Sequence, residues 1–210
     1  MKRLLFLLVS LLFPMLAMAQ VKVGDILCVH ETDTTIVHPE NYTSGAIGVV
    51  FFVDESGEHG WAIHPEIQAS GLYWSYTNEL PWGLTGWTSI RDALYDLDGY
   101  DNTGFLRAAS QNDHSLYPGA WAVDYEHGWY WPAAGQVNLL YGQVPVVNAS
   151  LEIIGGTLFQ GIWVYWTSSQ YGFDNDCAIY CRVSGAMGAI VKSRTELSGE
   201  PLLIRSVRDF

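Results

Sequence analysis

Residues 96–104, "DLDGYDNTG", carry Asp96, Asp98, Asp101 and Asn102 within seven positions, with Asp92 one turn upstream. Hard oxygen donors at that density suit Ca²⁺, which takes 6–8 of them. The spacing departs from the EF-hand pattern D-x-D-x-D-G, and Asp-Gly and Asn-Thr-Gly are ordinary turn chemistry. The stretch therefore reads as a turn, with Asp96, Asp98 and Asp101 as its calcium candidates and no other cofactor expected. Three cysteines offer thiol chemistry: Cys28, Cys177 and Cys181. On one strand, Cys177 and Cys181 would share a face with Cα atoms roughly 13 Å apart, too far for a disulfide. A bridge from Cys28 to either one stays open, as do three unpaired thiols.

Aromatic side chains are the richest signal. The chain has nine Trp and twelve Tyr, and residues 72–87, "LYWSYTNELPWGLTGW", place Tyr73, Trp74, Tyr76, Trp82 and Trp87 in a Gly- and Pro-broken stretch. Exposed rings beside amides and carboxylates stack on sugars or anchor protein partners. A loop folded back on the sheet would bury its own rings instead. Pro81 and Gly83 put Trp82 at a turn tip. Catalytic signatures are missing from the sequence: there is no G-x-S-x-G, no H-E-x-x-H and no phosphate-binding glycine loop. The six histidines are scattered among turns, so the chain reads as non-catalytic.

The elements that must position these residues follow from periodicity. Residues 46–54 and 59–64 alternate as a hairpin around a Glu-Ser-Gly-Glu turn, and 21–29 with 34–37 read as an edge pair. Proline-led segments predict helices over 118–126, 133–143 and 145–156, the last ending at Gly155-Gly156. Strands return at 162–168, 176–183 and 188–193, and 202–210 reads as one last strand. Strands outside and helices inside give an α+β class, with short twisted antiparallel sheets and two or three short helices.

Residues 1–19 look like a signal peptide. Lys2 and Arg3 precede an apolar run over 4–12, Pro14 breaks it, and Ala17-Met18-Ala19 supplies a small-x-small cut site. That run is too short for a membrane span of about 20 residues. Residues 20–210 show no linker or low-complexity break and read as one domain. The leader holds two of the ten basic residues and none of the 22 acidic ones, which leaves eight against 22, a net charge of −14. Such acidity disfavours nucleic acid and electrostatic docking on anionic lipid. The expected address is secreted, periplasmic or cell-surface, without membrane insertion.

The succession "GAIGVVFFVDESGEHGWAI", "DLDGYDNTG", "YPGAWAVDYEHGWYWPAAGQVNLLY", "VNASLEIIGGTLF", "YWTSSQY", "IRSVRDF" resembles the C-type-lectin-like bacterial surface and exported domains grouped as the Fibrobacter major paralogous domain and its collagen-binding-like relatives. The resemblance spans roughly residues 23–210. It departs from the family at Trp129-Tyr130-Trp131-Pro132, where W-x-L-P is usual, and at Tyr165-Trp166-Thr167-Ser168-Ser169, where Y-W-S-S-T is usual. It implies a C-type-lectin-like fold, in a family whose functions are mostly unassigned and whose relatives bind sugars, proteins or collagen. Asn175-Asp176 matches half of the lectin calcium signature W-N-D, but its E-P-N or Q-P-D half is absent from 155–171. One related branch makes formylglycine with a copper held by two cysteines, and the Cys177/Cys181 spacing is one residue short of that pattern. The resulting expectation is an exported, non-catalytic binding module whose ligand is a glycan or a surface protein. A formylglycine-generating copper oxidase and a structural envelope protein are the alternatives.

Overall fold

The computed structural model describes residues 20–30 and 33–210; the expected signal peptide at 1–19 lies outside the described residues. The edge pair forms as β1 (Ile26–His30) and β2 (Asp33–Val37), antiparallel from Ile26↔Val37 to His30↔Asp33. The next hairpin is β3 (Ala46–Val53) and β4 (Gly60–Ile63). Its turn is held by Asp54, whose Oδ1 accepts from the amides of Ser56 and Gly57 and from the Ser56 hydroxyl. Two short strands follow, β5 (Ala69–Ser70) and β6 (Gly86–Trp87), at the two ends of the aromatic stretch.

Five helices occupy the middle of the described chain: α1 (Ile90–Ala93), α2 (Gly99–Ser110), α3 (Pro118–Ala122), α4 (Ala134–Tyr141) and α5 (Val144–Ile154). Ser89 caps α1 by accepting the Asp92 amide. Pro145 sits in the first turn of α5, and Gly155 ends it at φ +72°, a left-handed stop that glycine takes without strain. The helix expected over 118–126 stops at Ala122, and residues 125–127 form a separate 3-10 turn.

The expectation of a bare turn at 96–104 is overturned, because α2, at twelve residues, starts inside it. Its Gly, Asn and Thr content disguises a helix whose residues are chosen for close approach. A Cβ on Gly99 would lie 2.4 Å from Gln136 Oε1 and 2.8 Å from the Ala133 amide. Thr103 donates to the Gly99 carbonyl and accepts the Trp131 amide.

The last strands are β7 (Val164–Tyr171), β8 (Cys177–Arg182), β9 (Met187–Val191), β10 (Glu196–Leu197), β11 (Glu200–Ile204) and β12 (Val207–Asp209). A five-stranded sheet runs β12-β4-β3-β1-β2; a seven-stranded sheet runs β10-β11-β7-β8-β9, with β5 on β11 and β6 on β7. Pairing is mostly antiparallel, with β11 and β6 parallel to β7. The single strand expected over 202–210 is therefore two strands in two different sheets. The break falls at Arg205 and Ser206, both buried. Arg205 donates from Nε to the His64 carbonyl and from its two terminal nitrogens to the Thr157 and Pro65 carbonyls.

Along β7, successive residues feed opposite sides. Val164 and Trp166 join a core with Trp74, Leu106, Tyr117, Trp131 and Ile204. Tyr165 joins a second core with Val49, Phe51, Ile63, Val147, Leu151 and Val207, under the five-stranded sheet and α5. The seven-stranded sheet is thus covered on both faces, and its outer loops become the place where side chains reach solvent.

Candidate functional site

The stretch 72–87 is a structured arm, pinned at both ends to the seven-stranded sheet. At its start the Trp74 amide donates to the Lys192 carbonyl at 2.7 Å, and at its end Gly86 and Trp87 pair with Gln170 and Tyr171. This pinning sorts the five candidate rings. Trp74 is corrected from candidate ligand contact to core residue. It has no exposed surface, and its Nε1 donates to the Thr167 carbonyl at 2.8 Å. Trp87 is half-buried and donates to Asp96 at 3.0 Å. Tyr73 is half-buried, bonds the Ser115 carbonyl at 2.7 Å and lies 3.8 Å, centroid to centroid, from Tyr76.

Tyr76 and Trp82 face solvent, at 66% and 90% exposure. Trp82 rides a tight turn closed by the Leu84 amide on the Pro81 carbonyl, with Gly83 at φ +90°. A Cβ on Gly83 would meet the Phe105 ring at 2.5 Å, so the turn rests against α2, and Trp82 meets that ring edge-on at 6.3 Å.

A further exposed ring, Phe173 at 80%, was not singled out from the sequence. It stands in the turn between β7 and β8, flanked by Gly172 and Asp174, a setting like that of Trp82 between Pro81 and Gly83. Gly86, two residues past the Trp82 turn, packs against the Phe173 turn: a Cβ on it would meet Gly172 Cα at 3.0 Å and Leu80 at 3.3 Å. The Gly172 amide donates to the Trp87 carbonyl at 2.8 Å. Exposed Asn78, Glu79, Asp174, Asn175 and Asp176 line the same segments. Apolar rings among amides and carboxylates can stack on a sugar face or seat a protein side chain while offering acceptors to its hydroxyls and amides.

The acidic cluster has a different role. Asp96 is buried, and its carboxylate accepts from Trp87 Nε1, Asn102 Nδ2, the Ser169 hydroxyl and the Asp98 amide. Those donors tie β6, α2 and β7 into one knot and use the oxygens a cation would need. Asp98 is pushed up by partial burial and by the charges of Asp96 and Asp101. Among the described residues, no three His, Cys, Asp or Glu side chains converge to hold a metal.

The thiols are all shifted upward, Cys28 by burial alone. Burial pushes Cys181 far up, and Cys177 is raised by burial and then by Asp174 and Asp176. Cys28 is buried in β1, and all three cysteines are free. Among the described residues, no helix is long and apolar enough to cross a membrane.

No protein-family model matches this chain, and no curated protein does. A solved structure of a fimbrial protein from Bacteroides ovatus ATCC 8483 is similar in fold. Its TM-score is 0.62 at 16% sequence identity, over 90% of this chain and 49% of that one. This chain spans about half the length of that protein, and the likeness is one of mixed α+β architecture.

Proposed function

We propose that this chain is an exported, non-catalytic binding module acting at the cell envelope or outside it, with the Tyr76, Trp82 and Phe173 end as its ligand surface and a glycan or a surface protein as its ligand. The exposure of Trp82 carries the reading. Leaving a large apolar side chain in water forgoes about 1.5–3 kcal/mol of burial, and here a turn with an obligate glycine holds the ring outward. The likeness to a fimbrial protein supports a surface setting, as does the signal-peptide pattern of the first residues. The resemblance to C-type-lectin-like exported domains belongs to the same proposal. Glycan-array and envelope pull-down measurements on wild type and Trp82→Ala test it. Binding that falls at least about tenfold in the variant, roughly 1.4 kcal/mol for one anchor ring, supports the assignment. A ligand held equally well by both proteins overturns it.

A second reading, a structural part of a surface appendage, is favoured by the fimbrial neighbour alone. It predicts chain-to-chain assembly in sedimentation and no ligand on the array.

A further inference from the structure

Lys192 immediately follows β9 and is 2% exposed. Its carbonyl accepts the amides of Trp74 at 2.7 Å and Ser75 at 3.4 Å, and its own amide donates to the Asp176 carbonyl at 2.7 Å. Its Nζ passes within 5.0 Å of the Trp74 ring centroid and donates to the carbonyls of Thr77 at 3.3 Å and Glu79 at 3.2 Å. One residue therefore grips both segments of the exposed aromatic end: the arm that leads to Trp82 and the turn that carries Phe173.

The choice of lysine is informative. An ammonium taken out of water is costly, and an apolar side chain of similar volume would pack against Trp74 without that cost. What the ammonium adds is directional donors. Residues 76–80 run outside regular structure, so their carbonyls have no ladder to satisfy them, and two of those carbonyls end on Nζ. We propose that Lys192 is a positioning residue, a tether that fixes residues 75–80 and couples them to the 172–176 turn so that the two exposed aromatic segments keep one relative placement. The use of that end for a ligand rests on the function proposed above; the tether does not.

Hydrogen exchange read by mass spectrometry on ligand-free wild type and Lys192→Met tests the tether. Peptides covering 75–86, whose Thr77 and Glu79 carbonyls lose Nζ, are expected to exchange roughly tenfold faster in the variant, with β3 and β4 peptides unchanged. Equal exchange in 75–86 overturns the proposal, as does a uniform rise across the molecule, which marks a merely structural lysine. Where Lys192→Met does not fold, ¹⁵N NMR of the wild-type ammonium decides. Slow exchange of its protons with water supports the tether, and free rotation with fast exchange overturns it. Neither readout involves a ligand, so a Trp82→Ala result that sinks the binding surface leaves this inference standing, and failure here leaves that surface to its own test.

Discussion

Trp74 and Trp82 share a side chain and a sixteen-residue neighbourhood, yet one sits wholly inside and the other almost wholly outside. Their alanine variants should therefore separate. Trp82→Ala is expected to change unfolding free energy by no more than about 0.5 kcal/mol, as for surface positions. Trp74→Ala should cost about 3–5 kcal/mol, since it empties a core site and strands the Thr167 carbonyl. Urea unfolding of both variants checks the pair, and a large loss at Trp82 would remove it from the ligand surface. Lys192 gives a residue-scale pH signature. Burial pushes its ammonium down to about 8 from 10.5. Between those values the unfolded chain binds the proton that the folded chain has released, so the Lys192 contribution to stability rises with pH across that window. Wild type should gain on Lys192→Met from pH 8 to pH 10 in parallel unfolding curves. A difference that stays flat counts against the burial-driven shift.

At the scale of elements, α2 shows where sequence reasoning stops. Hairpin β3–β4, the edge pair β1–β2 and helices α4 and α5 were legible because alternation, proline starts and a glycine stop are local signals. The start of α2 was not, because Gly99, Thr103 and Gly104 are chosen by what presses on them from residues 125–136, and Asn102 by Asp96 and Ser168. Trp74 was misplaced for a related reason. Composition shows an aromatic arm, but which ring turns inward is set by the Lys192 carbonyl, more than a hundred residues away. Phe173, between Gly172 and Asp174, carries the same flanking-turn signal as Trp82 between Pro81 and Gly83.

Gly99→Ala tests the packing account, because two effects oppose each other. Helix propensity alone favours alanine by up to about 1 kcal/mol. The contacts at 2.4 Å and 2.8 Å should outweigh that and destabilise by about 1–3 kcal/mol, as overpacking does. A stabilised variant would mean that α4 yields easily. Since the Asp96 oxygens are taken by four protein donors, millimolar Ca²⁺ or chelator should leave the melting temperature unchanged. A rise of several degrees would bring Asp98 and Asp101 back as ligands.

Across the whole molecule, Arg205 and Ser206 pass the chain from one sheet to the other. Arg205 solvates its charge with three half-buried carbonyls and the face of Phe159 at 4.3 Å. Arg205→Met keeps much of the volume but takes the guanidinium donors from the His64 and Thr157 carbonyls, while the Pro65 carbonyl keeps the Thr157 amide. It should cost about 3 kcal/mol or more, measured as a shift of the denaturant midpoint at unchanged slope. A loss below about 1 kcal/mol would show that the carbonyls find other donors.

The crossover also sets the order in which the molecule can assemble. Arg205 reaches back to His64 over 141 positions and Ser206 to Gln68 over 138. Contacts that distant close large loops and slow folding. Strands β1–β4 are contiguous in sequence and can pair early, but the outer side of β4 stays an open row of amides and carbonyls until β12 arrives. Such an edge accepts a strand from any neighbouring chain. Refolding yield should therefore depend on protein concentration more than on time, with dilution sparing β4 long enough for its own distant strand to reach it.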